Sequence, residues 1–344
     1  MKSPSIKFAA VSILFLITAF VSVDTIAQSR QRYLLALSKT DHNLAIVDPA
    51  TLKIIARVPV GPDPHEIVAS ADGKTAYVSN MGGGSFHEMN VIDLIGLKAL
   101  PSIDTKSFIG LHGLAFTGGK LWFTAEGAKS VGRYDPATAQ IDWSMGTGQD
   151  RTHMIFVTPN QKKIYTTNVT SATVSILLDT LIVPGKDAPA WMKPHNEWMH
   201  IVIPVGKGSE GFDVSPDGKY LWTAGSGDGV ISIIDLTSHK LVHKIEAGVN
   251  GANRLKFTPD GKYVLVTSLG AGDLFVFDVA SRKELKRVPI GHGAAGILTD
   301  AETSRAYVAC TPDNYVAVVD LKTWQVTSHL EINGPDGLEM SVKP

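Results

Sequence analysis

One phrase recurs along the chain and limits the architectures that the chain can adopt. It places a Ser or Thr, a polar turn with the form Pro-Asp-Gly-Lys and an apolar strand in succession. It reads SADGKTAYVSN from Ser70, TPNQKKIYTTN from Thr158, SPDGKYLWTAG from Ser215 and TPDGKYVLVTS from Thr258. A second marker, an aspartate that closes an alternating apolar strand, occurs seven times with spacings of 45, 42, 44, 56, 43 and 42 residues, at Asp48, Asp93, Asp135, Asp179, Asp235, Asp278 and Asp320. Periods of this length predict a repeat architecture.

Each copy holds four strand-sized segments with alternating apolar residues, separated by Gly, Pro, Asn and Asp. This pattern predicts an all-β fold, a seven-bladed β-propeller with four-stranded antiparallel blades. The first copy begins at Tyr33 with what is the second strand of the other copies, and the segment from Pro335 to Ser341 is an unpaired first strand. The C-terminal strand is therefore predicted to complete blade 1 and close the ring.

Several short phrases resemble those of a known family. They are YVSN, SPDGK, DPAT, VPVG at Val58–Gly61 and IPVG at Ile203–Gly206. Together they resemble the YVTN repeat proteins, exported seven-bladed propellers related to the YncE-like group, and the resemblance covers Gln28 to Pro344. It implies the propeller fold. It does not imply one function, because relatives of this architecture include lactonases, lyases, heme and copper enzymes, and proteins without known catalysis.

The N-terminal segment resembles a secretory leader. Lys2 and Lys7 precede an apolar stretch over residues 8–23, and small residues stand before a cleavage point after Ala27. We therefore expect a signal peptide over residues 1–27, a single propeller domain over residues 28–344, and a periplasmic or secreted location. The alternative is an uncleaved anchor, but 16 apolar residues fall short of the roughly 20 that a spanning helix needs.

Charge and motif content disfavour several classes of function. The 32 basic and 33 acidic residues leave a net charge of -1, so neither nucleic-acid binding nor stable membrane insertion after cleavage is expected. The sequence has no P-loop, paired-glycine dinucleotide motif, CxxC pair, c-type heme attachment motif or nucleophile elbow, so no nucleotide or c-type heme is expected. Cys310, the one cysteine, lies in an apolar run and is predicted to be a small buried side chain.

The repeat register predicts which residues surround the mouth of the central channel. The count starts at the first residue of the turn between the first and second strands of each copy, for example Ser70, and goes back five residues. It gives one residue per blade: Asp336, His65, His112, His153, Glu210, Asn253 and Ala295. Three neighbouring blades thus present imidazoles, with a carboxylate on either side. Imidazole and carboxylate groups are common ligands of divalent transition metals, so we predict a metal ion held by His65, His112, His153 and Glu210. Two alternatives are acid–base chemistry without a metal and a merely solvated polar rim.

Other polar residues lie close to this register and extend the prediction. Glu66, Arg151, Asn253, Arg254 and His292 are expected to contact a bound ligand. A long loop, Met81 to Asn90, follows the second strand of its blade and contains His87 and Glu88. It is interpreted either as a lid that adds a ligand or as a mobile surface loop.

The spacing of 56 residues places an insertion of about 13 residues in blade 4, within residues 183–198. It contains Trp191, Trp198 and three prolines, and it is expected on the face opposite the mouth. The two tryptophans are interpreted either as a contact for a protein partner or carbohydrate, or as packing against the blade.

Two functions follow from these features. The first is an exported propeller that binds a small molecule, a carbohydrate or a metal ion at the mouth without turnover. The second is a metal-dependent enzyme of the lactone hydrolase or polysaccharide lyase type, in which Glu210 or Asp336 is the base or a further ligand.

Overall fold

A computed structural model describes Met1 and residues 31–189 and 191–343 of this chain. The predicted signal peptide over residues 1–27 lies outside the described residues apart from Met1. The propeller belongs to a unit that runs from Gln31 to the C-terminus.

The described residues form seven sheets of four antiparallel strands, which confirms the predicted all-β propeller. Blade 1 pairs β28 (Pro335–Val342) with β1 (Arg32–Ser38), β2 (Asn43–Asp48) and β3 (Lys53–Pro59). Blades 2 and 3 contain β4 (Pro64–Ala69), β5 (Thr75–Asn80), β6 (Glu88–Asp93) and β7 (Lys98–Asp104), then β8 (Leu111–Thr117), β9 (Lys120–Ala125), β10 (Ser130–Asp135) and β11 (Gln140–Gly146). Blades 4 and 5 contain β12 (Thr152–Val157), β13 (Lys163–Asn168), β14 (Thr173–Ile182) and β15 (His195–Pro204), then β16 (Ser209–Val214), β17 (Tyr220–Gly225), β18 (Val230–Asp235) and β19 (Lys240–Glu246). Blades 6 and 7 contain β20 (Ala252–Phe257), β21 (Tyr263–Ser268), β22 (Asp273–Asp278) and β23 (Lys283–Pro289), then β24 (Ala294–Asp300), β25 (Arg305–Cys310), β26 (Tyr315–Asp320) and β27 (Gln325–Glu331).

The recurring phrase folds into the turn between the first and second strands of a blade. In blade 2 the Ser70 hydroxyl donates to Asp72 Oδ1 at 2.7 Å, and that oxygen also accepts the backbone N–H of Lys74 at 3.1 Å. Gly73 supplies the positive φ of 63° that the turn needs. The phrase therefore recurs because the same short-range hydrogen bonds build the same turn in several blades.

The C-terminal strand closes the ring, as predicted. β28 pairs antiparallel with β1, with Leu34 opposite Met340 and Ala36 opposite Leu338. The Ser341 hydroxyl also donates to the carbonyl of Gly73 in blade 2 at 3.2 Å. The two ends of the propeller chain therefore share one sheet.

Apolar side chains fill the spaces between blades. Each of seven buried clusters in the described residues draws on two neighbouring blades, and the one that joins blade 7 to blade 1 contains Leu34, Val47, Tyr307 and Val318. Cys310 is fully buried between blades 6 and 7, where burial raises the pKa of its thiol to about 12. The propeller is thus held by packing, and Cys310 is a small core side chain.

The insertion in blade 4 differs from the sequence prediction in its extent. β14 and β15 are each ten residues long and pair up to Ile182 opposite His195, so residues 195–198 belong to a strand. The insertion therefore lengthens the hairpin by extra residue pairs, and its described residues beyond the strands are 183–189 and 191–194. None of the helical segments in the described part of the chain is long and apolar enough to cross a membrane.

Candidate functional site

The seven residues that the repeat register selects surround one cavity at the channel mouth, with a volume of about 400 Å³. We call them the inner ring: Asp336, His65, His112, His153, Glu210, Asn253 and Ala295. Each stands at or near the start of the first strand of its blade. Because the seven blades share one strand order, the same register position of every blade lies at the same end of the channel.

Hydroxyl groups of the second strands hold the backbone of this ring. Ser79 donates to the carbonyl of His112 at 2.7 Å, and Thr124 donates in the same way to the carbonyl of His153 in the next blade. Thr167 reaches Glu210 and Thr267 reaches Ala295. These bonds run between neighbouring blades, so the position of each of these residues depends on the blade before it.

A second set of residues approaches the mouth, and the sequence analysis missed it. Each is the first residue after the second strand of its blade, and we call the set the outer ring: Lys39, Met81, Glu126, Val169, Ser226, Leu269 and Thr311. Each backbone N–H donates, at 2.8–3.3 Å, to the carbonyl of the residue that lies two positions before an inner-ring residue. The sequence signal was available, because this position also follows a fixed register. It places two further charged groups, Lys39 and Glu126, beside the imidazoles.

Glu126 and His153 form the most buried polar pair of the site. The Glu126 carboxylate bonds to His153 Nδ1, and its other oxygen accepts from Arg151 Nε at 3.4 Å. Burial opposes ionisation of Glu126, but the bond to His153 and the charge of Arg151 outweigh burial and lower the pKa of the carboxyl. A carboxylate on Nδ1 leaves Nε2 of the same ring available as a lone-pair donor.

His112 is completely buried beside this pair. Its ring lies 3.7 Å from the ring of His153, centroid to centroid, and 5.1 Å from that of His65. Burial, followed by the neighbouring imidazoles and cations, lowers the pKa of His112 well below its usual value, so the ring is neutral near pH 7. Among the described residues, His112 Nδ1 and His153 Nε2 are buried nitrogens without a hydrogen-bond partner. Such atoms cost stability unless something binds them.

His65 has a different environment. Lys39 Nζ lies 2.8 Å from His65 Nε2, and the same ammonium group contacts Asp63 and Asp336, each at 3.2 Å. His65 Nδ1 lies 3.3 Å from Asp63. Both ring nitrogens of His65 are therefore occupied by protein groups.

The metal ligands predicted from the sequence thus divide into two groups. Among the described residues, His112, Glu126 and His153 offer ligand atoms that all lie within 4.8 Å of one another. His65 and Glu210 do not belong to that set. Glu210 instead accepts from Asn253 and lies 3.8 Å from Arg254. Glu126, which the sequence prediction did not include, joins the two histidines because it follows the second strand of blade 3 and reaches across to blade 4.

An ion pair forms the floor of the mouth. Arg254 of blade 6 donates to Glu66 of blade 2, across the channel. Burial opposes the charge of Arg254, but Glu66, Asp336 and Glu210 outweigh it and raise the pKa of the guanidinium. The pair separates the mouth from a lower cavity of about 140 Å³ that is lined partly by Lys256 and Glu339.

His292, which was predicted to contact a ligand, does not lie at the mouth, and neither do His87 and Glu88 of the loop for which a lid was one of two interpretations. His292 is exposed and faces Asp313, so it does not line the cavity. His87 pairs with Asp104 at the surface, and Glu88 begins β6 as an exposed residue. Of the loop that contains them, Met81 alone lines the mouth among the described residues. The sequence could not show the directions of these side chains, because the loop conformation sets them.

The two tryptophans of the blade 4 insertion lie in different environments. Trp198 packs on Trp143 of blade 3, with ring centroids 4.9 Å apart, whereas Trp191 is 76% exposed at the tip of the hairpin. The packing interpretation therefore holds for Trp198.

Comparison with known proteins places this geometry among propellers. A family model described as the cytochrome D1 heme domain matches residues 208–310, less than a third of the chain. No curated protein matches. A functionally unknown protein from Desulfotomaculum acetoxidans is similar in structure, with a TM-score of 0.71 and 14% identity over 90% of this chain and 99% of that one.

Two other similar structures carry functional descriptions. A candidate 6-phosphogluconolactonase from Bacteroides uniformis has a TM-score of 0.69 and 16% identity over 91% of this chain and all of that one. Dihydro-heme d1 dehydrogenase NirN in complex with DHE has a TM-score of 0.62 and 16% identity over 87% of this chain and 63% of that one. At these identities the likeness extends to the propeller fold.

Proposed function

We propose that this propeller binds a divalent transition metal ion at the mouth of its central channel, through His112, His153 and Glu126. The observation that carries the proposal is the pair of buried imidazole nitrogens without partners, His112 Nδ1 and His153 Nε2, beside a buried ionised carboxylate. Neutral imidazole and carboxylate are the donors that zinc, copper, iron and manganese share.

Charge balance supports a cation at this place. Three cationic and five anionic side chains surround the mouth and its floor: Lys39, Arg151 and Arg254, against Asp63, Glu66, Glu126, Glu210 and Asp336. These eight groups by themselves leave an excess of two negative charges, which a divalent ion offsets. An excess of one sign is costly where it is buried, as it is at Glu126.

A heme d1 group fits this donor set less well than a single ion. The two imidazole nitrogens of the site without partners belong to rings whose centroids are 3.7 Å apart, which is too close for the two rings to be the axial ligands of one heme. Heme chemistry is therefore not part of the proposal.

The test is metal binding by purified protein, measured by elemental analysis and by calorimetric titration with Zn²⁺, Mn²⁺ and Cu²⁺. We expect one ion per chain, and we expect His112→Ala to weaken binding by about 100-fold or more, because it removes a ligand. His65→Ala distinguishes the ligand set predicted from the sequence, which includes His65, from the set in the structure, which does not. It should change metal affinity by less than about tenfold. His292→Ala, an exposed imidazole outside the mouth, is the matched control. Wild-type protein without stoichiometric metal, or unchanged binding by His112→Ala, would contradict the proposal.

Metal-assisted hydrolysis of a lactone is the second candidate. The observation that favours it is the ligand count, since three protein ligands leave a coordination position open for substrate. A bound ion would supply polarisation of the substrate carbonyl. Glu210 or Asp336 would be the base or a further metal ligand. Asn253 contacts Glu210, and Lys39 contacts Asp336. A screen of lactones and uronate polysaccharides with metal-loaded protein tests this, with His112→Ala as the inactive control. Uniform absence of turnover would leave binding as the function.

Export is also a proposal, supported by the leader-like segment at residues 1–27. N-terminal sequencing of the protein from the cell envelope or medium should give a chain that begins at Gln28. A chain that retains Met1 in the cytoplasm would contradict export.

A further inference from the structure

In each blade, one residue just before the first strand has left-handed backbone geometry. It lies two positions before the inner-ring residue, and φ at the seven positions ranges from 52° to 73°. The seven residues are Gly334, Asp63, Gly110, Arg151, Gly208, Gly251 and Gly293. Five blades thus use glycine, the residue that adopts this geometry without a steric penalty, and two blades do not.

The backbone at these positions is not free to relax. The carbonyl of each of the seven residues accepts the N–H of an outer-ring residue, for example Val169 on Arg151 at 3.0 Å and Met81 on Asp63 at 3.1 Å. A residue with a Cβ is strained at such a φ, mildly for Asp and more for Arg. Arg151 and Asp63 therefore stand where glycine would fold at least as well, which points to a use for their side chains.

The Asp63 side chain has a local use. It lies 3.2 Å from Lys39 Nζ and 3.3 Å from His65 Nδ1. Burial opposes ionisation of the Asp63 carboxyl, but its interactions with His65 and Lys39 outweigh burial and lower its pKa. Asp63 therefore positions Lys39 and His65.

The Arg151 side chain is less tightly held than the other cations of the mouth. Its contacts with Glu126 and Glu210 are long, 3.4 and 3.9 Å. Its side chain is 41% exposed, compared with 27% for Lys39, which three groups hold, and 9% for Arg254 in the floor. Arg151 is thus the guanidinium at the mouth that is most open to a bound molecule.

We propose that Arg151 binds the anionic group, a carboxylate or a phosphate, of a ligand that occupies the mouth above His112, His153 and Glu126. This rests on the proposed function only in placing a metal ion below the anion. A planar guanidinium binds both oxyanions through two parallel hydrogen bonds, which an ammonium does not reproduce. Arg151 lies beside Glu126, so an anion on it lies next to the metal ligands. The mouth would thus take small organic acids or phosphate esters.

The experiment titrates malonate and inorganic phosphate into metal-loaded and metal-free protein, with wild type, Arg151→Gly, Arg151→Ala and Arg151→Lys. We expect at least one probe to bind wild type, and its affinity to fall by about tenfold or more in the Gly and Ala variants, with partial recovery in Lys. Zn²⁺ affinity is measured on the same variants, because Arg151 contacts the Glu126 carboxylate and its loss should change Zn²⁺ affinity by up to about 100-fold. The loss of anion binding is therefore compared in the metal-free protein, where a change in metal affinity has no effect. Arg151→Gly should melt at a higher temperature than Arg151→Ala, because glycine removes the strain that alanine keeps.

Lys129→Ala is the matched control, because Lys129 is an exposed cation that pairs with Asp150 outside the mouth cavity. Three results would overturn the inference. Neither probe binds wild type, Arg151→Gly binds the anion as tightly as wild type does, or Lys129→Ala lowers the affinity for the anion as much as Arg151→Gly does. If wild type binds no metal ion but binds the anion, and Arg151→Gly does not bind the anion, the metal proposal fails and the anion site stands.

Discussion

The residue after each inner-ring position alternates between a large side chain and glycine around much of the channel. Glu66, Met154 and Arg254 enter the channel, and glycine occupies the other four positions: Gly113, Gly211, Gly296 and Gly337. A Cβ on any of these four would meet a backbone carbonyl of the next blade at 2.1–2.5 Å. The close approach of neighbouring first strands thus sets the alternation.

Gly296→Ala tests this packing. Its Cβ would lie 2.1 Å from the carbonyl oxygen of Asp336, so the two blades must separate, and we expect a loss of about 1–3 kcal/mol in the free energy of unfolding. Gly146→Ala is the control, because nothing lies within 4 Å of a Cβ there. Equal denaturant midpoints for the two variants would contradict the account.

Glu339 in the lower cavity predicts a pH dependence. Burial raises its pKa from 4.5 to about 7, the charge of Glu66 adds to this effect, and Lys256 opposes it. The folded state therefore binds the proton more tightly than the unfolded chain, so this contribution to stability is complete below pH 4.5 and is lost as the pH rises through about 7. Glu339→Gln should be more stable than wild type at pH 8 and equal to it near pH 4. Chemical denaturation at both pH values checks this, and a pH-independent difference would be evidence against it.

At the scale of elements, the blade 4 hairpin separates into a part that packs and a part that does not. Trp198 in β15 contacts Trp143, but the connection over residues 183–194 carries exposed side chains such as Trp191. The packed part should contribute to stability, and the tip should contribute little.

Replacing residues 183–194 by Asn-Gly tests the division, since that dipeptide closes a two-residue hairpin. We expect a melting temperature within a few degrees of wild type and unchanged Zn²⁺ affinity, because the connection lies away from the mouth. Trp198→Ala is the contrasting variant and should cost about 2 kcal/mol through loss of aromatic packing. A large loss of stability in the replacement variant would show that the tip packs.

At the scale of the whole molecule, closure of the ring joins residues that are far apart in sequence. β28 supplies the first strand of blade 1, and Arg32 of β1 pairs with Asp300 of blade 7 at 2.5 Å. The propeller is therefore one cooperative structure rather than a row of independent repeats.

Truncation from Gly334 removes β28 and opens the ring. We expect a loss of at least about 5 kcal/mol, since several apolar side chains leave the interfaces of blade 1, and a melting temperature lower by at least about 10 °C. A chain that ends at Val342 keeps the strand and is the control. An unchanged melting temperature for the chain truncated from Gly334 would contradict closure by β28.

Much of the architecture could be predicted from the chain because repeats are local. The Ser-x-Asp-Gly turn, the strand alternation and the aspartate that closes six of the seven third strands depend on residues close in sequence. Together they give seven blades and the register of the inner ring. The same register, applied one position after each second strand, would also have found Lys39 and Glu126.

The division of those ring residues into partners could not be predicted in this way. Equal register brings seven side chains to one mouth, but their lengths, the left-handed turn before each and the neighbouring blade decide which atoms meet. Thus Glu126 bonds to His153 while His65 bonds to Lys39, and Arg254 crosses the channel to Glu66, 188 residues away. Sequence periodicity determines which residues reach the channel, and only the closed ring determines their contacts, because the two sides of the channel meet only when the last strand joins the first.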